Sequence, residues 1–168
     1  LRSEHAHADI ESIDCAAVLA MPGVVAIYTG ADVEADGLGT VPCNMDAFVP
    51  LNRPDGSRAY YPPNYLLPAE RVRHVGEAVA MVIAETPSQA RDAAEHIEVT
   101  YHALPCVVET GGAEAPDAPT IWPEAPGNLS FLWEHGDRDA VDTAFKNAAR
   151  VVAVDLVNSR LIVNSIET

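Results

Sequence analysis

Lysine is nearly absent from this sequence. One lysine, Lys146, and nine scattered arginines face 25 acidic residues, for a formal net charge of −15. Phosphate backbones are held by basic stripes, and this chain has none, so nucleic-acid binding is excluded and adhesion to an anionic membrane surface is disfavoured. Cysteine is scarce too. The three present, Cys15, Cys43 and Cys106, are odd in number, far apart and without a C-x-x-C spacing, the pattern of reduced thiols in a cytoplasmic protein. No apolar run approaches the roughly 18 residues of a membrane span. The chain opens at Leu1 with neither a basic nor an apolar leader segment, so no export signal is legible. Neither G-x-G-x-x-G nor G-x-x-x-x-G-K-[ST] occurs. The single glycine pair, Gly111-Gly112, lies in a proline-rich stretch, so no phosphate cradle is expected.

What is present is apolar enough to fold. With 168 residues, 48% of them hydrophobic, the chain can bury a core without disulfide or metal staples and is too apolar for disorder. The length allows one domain, or one domain with a piece of another. Of 13 prolines, six fall between Pro42 and Pro68 and five between Pro105 and Pro126, which predicts two long irregular excursions, the first taken over 31–70. Regular structure is expected elsewhere. Residues 6–13 alternate, with Ala6, Ala8 and Ile10 on one side and His7, Asp9 and Glu11 on the other, as a half-buried strand does. Asp14 is placed to cap a short helix from Cys15 to Met21 that Pro22-Gly23 ends. Val24–Tyr28 then reads as a buried strand closed by Gly30.

The clearest segment is 77–103. Ala78–Ala84 is a continuous apolar run suited to a strand covered on both faces. Thr86-Pro87-Ser88-Gln89 forms a capping box with proline at the first helical position. Ala90, Ala93, Ala94 and Ile97 recur at helical spacing, and Val99, Tyr101 and Ala103 alternate with Glu98, Thr100 and His102. A second strand–helix–strand unit is predicted from a strand at Asn128–Glu134, a helix capped by Asp137 with the stripe Val141, Ala144, Phe145 and Ala148, and a strand at Val151–Val157. The fold class is therefore α/β, mixed, with short helices packed on sheet.

Four groups of residues could carry chemistry. His5, His7, Asp9 and Glu11 share one strand face if the strand starts by His5, and two adjacent imidazoles could begin a metal site, although a third ligand is not in sight. A solvent-facing polar strand face is the simpler expectation. Glu134-His135-Gly136-Asp137 places a histidine between two carboxylates, but no serine or cysteine nucleophile stands beside it. His74-Val75-Gly76-Glu77 reads as a strand end and turn. Tyr60, Tyr61, Tyr65 and Phe48 fall in the first excursion, where an aromatic loop either binds a ligand or docks on another part of a larger protein. No catalytic, cofactor-binding or metal-ligating residue is assigned.

Six strings, in order, resemble one family. Leu1-Arg2-Ser3-Glu4-His5-Ala6-His7-Ala8-Asp9-Ile10 is similar to R-S-P-H-A-H-A-x-I. Pro22–Asp32 is similar to P-G-V-x-A-V-x-T-G-x-D, Val72–Ala80 to V-R-x-V-G-E-P-V-A with Ala78 in place of proline, and Glu98–Pro105 to E-V-x-Y-E-x-L-P. Gly127-Asn128-Leu129 and Gly136-Asp137 with the alanine-rich segment after it follow. The chain thus resembles the start of the molybdenum-binding large subunit of the xanthine dehydrogenase and carbon monoxide dehydrogenase family. The ending Glu167-Thr168 inclines it to the carbon monoxide dehydrogenase branch, although Ser165 and Thr168 depart from the N-P-M-E-P-R version.

The resemblance implies an α/β-hammerhead domain over 1–150 and the first strand of the next, molybdopterin-binding region over 151–168, so that the chain is expected to be a piece of a longer one. It implies a parent oxidoreductase that uses molybdopterin-bound molybdenum and water-derived oxygen, with [2Fe–2S] clusters and FAD on other subunits or domains. The pterin-contacting loop and the catalytic glutamate of that family match nothing in this sequence, so no cofactor is expected on this stretch and it is expected to be inactive alone. Implied partners are the remainder of the large subunit and the FAD-binding and iron–sulfur subunits, in the cytoplasm. Apolar surface left exposed is expected where those parts pack. Two other readings stand beside this one: a free-standing interaction module, and a small metal-dependent hydrolase built on His5 and His7.

Overall fold

A computed structural model describes residues 1–43 and 51–156. Strand β1 (Ala8–Asp14) is the centre of a three-stranded antiparallel sheet, flanked by β5 (Arg71–Val72) and β7 (Glu98–Ala103). Its register with β7 runs Ala8↔Ala103, Asp9↔His102 and Ile10↔Tyr101, then slips by one residue before Ser12↔Thr100 and Ile13↔Val99. The slip is a bulge, and it explains a residue that strict alternation misplaces. A period of two puts Ile13 on the polar face with His7 and Asp9; the extra residue returns it to the core side. Ile13 accordingly packs with Val18, Ala80, Ala93 and Ile97.

Helix α1 (Ala16–Leu19) is shorter than the expected Cys15–Met21. Its N-cap is Cys15, not the expected Asp14, which lies one residue earlier and accepts from the Ala16 amide at 2.9 Å. Strand β2 (Val24–Thr29) follows, and its partner is β6 (Ala80–Ala84), antiparallel through Ile27↔Val82 and Tyr28↔Met81. Gly30 does not simply end β2. It opens a helix, α2 (Gly30–Ala35), in which the Thr29 amide and hydroxyl both donate to Asp32 Oδ2, at 2.7 and 2.8 Å. Its Cα presses on the chain opposite: a Cβ here would stand 2.4 Å from the Ala69 nitrogen, closer than any side chain tolerates. The first excursion further contains a short ladder of β3 (Thr40–Val41) with β4 (Asn64–Tyr65).

Helix α3 (Pro87–Glu95) is built as its sequence reads, with Pro87 in the first turn and Thr86 Oγ1 accepting from the Gln89 amide at 3.3 Å. It lies on β6 and β2 and buries Ala93 completely. Two apolar clusters result. One joins Val18, Ala80, Ala93 and Ile97; the other joins Ala8, Val72 and Val79; Leu1 packs against both. One expectation about the sheets needs correction, and their pairing adds two features. Strand β6 is covered on one face only, because its sheet has two strands and α3 lies on one side, leaving Met81 and Ile83 51% and 40% exposed. The mixed arrangement resolves into small sheets whose ladders, among the described residues, are all antiparallel. The strand–helix–strand unit of 77–103 joins two different sheets, since β6 pairs with β2 and β7 with β1.

The second predicted unit forms only its helix. Helix α4 (Arg138–Asn147) is capped by Asp137, whose carboxylate accepts from the Ala140 amide at 2.9 Å. Asn128–Glu134 is not a strand: it makes one isolated bridge, Leu132 to Asn52. Residues 151–156 join no ladder and are exposed, and Val157 lies outside the described residues. Apolar alternation alone does not make a strand where no neighbour supplies the hydrogen bonds.

The two excursions meet each other. Tyr60 N donates to Ser130 O at 3.1 Å and Leu132 N to Asn52 O at 3.0 Å. The Arg73 guanidinium lies 3.9 Å from the centre of the Trp122 ring, and Trp122 meets Tyr60 at 6.0 Å between ring centres. Asn128, in the left-handed region at φ 55°, ties down the second excursion. Its Nδ2 donates to Ala113 O and Pro119 O at 2.9 and 3.0 Å, while Oδ1 accepts from the Ile121 amide at 3.0 Å.

Candidate functional site

The His5–Glu11 group does not converge. Strand β1 begins at Ala8, and the chain bends over 6–7, so the alternation never reaches the histidines. His5 leans on the Tyr101 ring, 4.8 Å between ring centres. His7 is buried, 7% exposed, which corrects the expectation of a solvent-facing polar face. Its Nδ1 lies 2.9 Å from Pro105 O; a carbonyl only accepts, so Nδ1 carries a proton. Asp9 accepts from Arg71 Nε at 2.5 Å. That hydrogen bond, with the positive charge behind it, holds the Asp9 carboxyl below its usual range. Glu11 is exposed on the bulge.

The other groups are consumed structurally. Glu77 accepts from the Arg73 amide at 2.6 Å and lies 3.6 Å from His74 Nδ1, closing the turn after β5. Glu134 pairs with Arg138, Asp137 caps α4, and His135 stacks flat on Trp133. Gly111-Gly112 sits in a single 3-10 turn, Thr110–Gly112. Tyr60 packs between Arg53 and Trp122 and reaches Glu124 Oε2 at 3.4 Å; burial and that carboxylate raise its pKa. Tyr60 thus docks within the chain. Phe48 lies outside the described residues. Cys15 is half-buried, its thiol pKa raised by burial and by Asp14 and Asp32, while Cys43 and Cys106 are exposed.

Among the described residues, no three of histidine, cysteine, aspartate and glutamate come together as a metal would need. No chemical step is assigned to these residues. What the fold does build is an apolar hollow of about 760 Å³ beside β6. Tyr28, Val33 and Leu66, Ala90 and Ala94 of α3, and Leu1 are among the residues that line it. Its polar edge is mixed, Arg2 and Arg91 against Asp32 and Asp36. Such a wall binds or docks; it holds no nucleophile with a base beside it. Sequence reading missed this hollow because its walls come from segments that only the fold brings together.

Residues 1–105 match the family described as aldehyde oxidase and xanthine dehydrogenase, a/b hammerhead domain. The chain belongs to that family. Its small sheets and short helices are those of a mixed α/β hammerhead domain. The large chain of carbon monoxide dehydrogenase from Afipia carboxidovorans is 33% identical over 93% of this chain and 19% of its own length. The large subunit of nicotine 6-hydroxylase from Paenarthrobacter nicotinovorans is 32% identical over 100% of this chain and 19% of its own. In structure, carbon monoxide dehydrogenase from Oligotropha carboxidovorans superposes with a TM-score of 0.69 at 30% identity, over 89% of this chain and 18% of that one. The hammerhead chain thus spans about a fifth of the length of the relatives it matches. Those relatives are oxidoreductases. No helix among the described residues is long and apolar enough to cross a membrane.

Proposed function

We propose that this chain is the hammerhead part of the large subunit of a molybdenum hydroxylase of the carbon monoxide dehydrogenase kind. It serves as a structural wall for chemistry done elsewhere in the subunit. The observation that carries this reading is the match to a carbon monoxide dehydrogenase large chain over 93% of these residues but only 19% of that protein. The parent oxidises its substrate with oxygen drawn from water at a molybdenum–pterin centre outside Leu1–Thr168, and passes electrons to [2Fe–2S] clusters and FAD on companion subunits or domains in the cytoplasm. Within this chain, 1–150 forms the hammerhead and 151–168 the entry to the molybdopterin-binding region, and no residue of it touches the substrate. The remainder of the large subunit is the first partner. The exposed apolar side chains of 131–156, Trp133, Phe145, Val152 and Leu156 among them, support that packing.

Purification of the full-length protein from its native host tests this. Stoichiometric molybdenum together with carbon monoxide-dependent dye reduction is the expected result; a metal-free protein that reduces no dye overturns it. The nicotine 6-hydroxylase match over the whole chain favours a second branch, in which the substrate is an aromatic N-heterocycle. Dye reduction with such a heterocycle, and none with carbon monoxide, would select that branch.

A further inference from the structure

Helix α4 carries an apolar stripe that no described residue covers. Val141, Ala144, Phe145 and Ala148 are all exposed, Val141 and Phe145 by more than half. Its charges are sorted along its length. Asp137, Asp139 and Asp142 stand toward the start, with Lys146 in the last turn and Arg150 just beyond it. Two charged groups are already engaged, Asp137 as the cap and Arg138 by Glu134. Asp142 and Lys146 make no ion pair among the described residues. At about 100° per residue, both flank the stripe on its Phe145 side.

A face that is acidic at one end and basic at the other is complementary to itself when turned end for end. Two-fold contacts need that property, since each residue meets the one that meets it in return. With the axis between Ala144 and Phe145, Ala144 of each copy faces Phe145 of the other, and Val141 faces Ala148. Asp142 then lies beside Lys146 of the other copy, twice over, and the two helix dipoles run opposed. Alanines at 140, 144 and 148 let the axes approach to the about 8–10 Å of packed helices. Elsewhere the excess of acid, −15 over the chain, drives copies apart. An unspecific apolar contact would meet that repulsion, whereas a face with both signs in register offsets it.

We propose that α4 is a two-fold contact between two copies of this chain, packed antiparallel along Val141, Ala144, Phe145 and Ala148 and flanked by two ion pairs of Asp142 with Lys146. Two three-turn helices bury less than the roughly 1,200 Å² of a standard interface, so the dimer is concentration-dependent. The inference goes beyond the large-subunit reading. It gives the α4 part of the 131–156 surface, Phe145 with it, to a second copy, and leaves Trp133, Val152 and Leu156 to the remainder of the subunit.

Sedimentation of the protein as its host makes it, over a range of concentrations, tests this against charge variants. Asp142→Lys and Lys146→Asp each set like charges opposite one another and should weaken the dimer about 10-fold or more. The two combined restore opposite signs and should recover most of that loss. Phe145→Asp should leave no dimer at any concentration. Ala144→Cys, beside the axis, should form a disulfide between copies that maps to position 144, whereas Thr143→Cys, on the opposite face, should form none. Equal association in all the charge variants, or a cross-link at 143 as readily as at 144, overturns the proposal. So does a single-copy protein, and one whose α4 amides are nonetheless slow to exchange assigns the face to the rest of the subunit. None of these outcomes alters the molybdenum and dye-reduction results, so the large-subunit reading fails or stands separately.

Discussion

Helices α3 and α4 have the same design and different fates. Both carry an apolar stripe at helical spacing, and both are capped by a side-chain oxygen, Thr86 in one and Asp137 in the other. α3 lies on β6 and β2, and Ala93 is fully buried. In α4 no residue is buried, with Val141 51% and Phe145 60% exposed. The family match divides in the same place, since 1–105 contains α3 and not α4. Periodicity makes a helix amphipathic; only a partner surface makes it part of a core.

That contrast can be broken by substitution. Ala93→Asp would bury a carboxylate without a partner and should cost about 3 kcal/mol or more, whereas Phe145→Asp should stay within about 0.5 kcal/mol. Urea unfolding of both variants decides it; equal losses would mean that α4 is packed after all. Gly30→Ala comes next. Its Cβ would meet the Ala69 backbone, and overpacking of this kind costs about 1–3 kcal/mol, read in the same unfolding transition. Asn128→Ala strips partners from the Ile121 amide and from two carbonyls. It should cost about 1–3 kcal/mol of local stability, seen as faster proteolysis across 106–132 while β1 and β7 keep their amide protection.

The smallest effect is electrostatic. The Asp9 carboxyl is held low by Arg71 in the folded chain, so the unfolded state binds the proton more readily. The stability this confers is present above the ordinary aspartate pKa of about 3.9 and is lost as pH falls below it through the folded value. Arg71→Gln should flatten the acid limb of a stability-against-pH curve and leave neutral pH little changed. A limb identical in the variant would show that the pair, about one third exposed on both sides, does no more than sit at the surface.

Legibility in the sequence followed how local the deciding forces are. The caps at Thr86 and Asp137, the antiparallel-ready alternation of 98–103 and the stripe of α3 are settled within a few residues, and the structure has them. Thr29-Gly30-Ala31-Asp32 carried the same kind of signal for α2, but the strand before it and the prolines after it drew the segment into a loop. The bulge at Glu11 left its trace in Ile13, an apolar residue out of phase. Val151–Leu156 and Asn128–Glu134 show the converse, strand-like patterns without a ladder to join. His7 was misjudged because its burial is made by Pro105, 98 residues away. The hollow beside β6 left no local trace, since α2, α3, Leu1 and Leu66 meet there only after folding.

The placement of the two tryptophans has an optical consequence. Trp122 is half-buried beneath the Arg73 guanidinium, while Trp133 stands 63% exposed with His135 flat against it. One indole therefore reports on the junction of the two excursions and the other on the exposed arm that leads into α4. Acrylamide, a neutral quencher, should dim Trp133 first, leaving a bluer emission from Trp122. Any partner that covers the arm would reverse that order, so intrinsic fluorescence can follow its docking without a dye or a label.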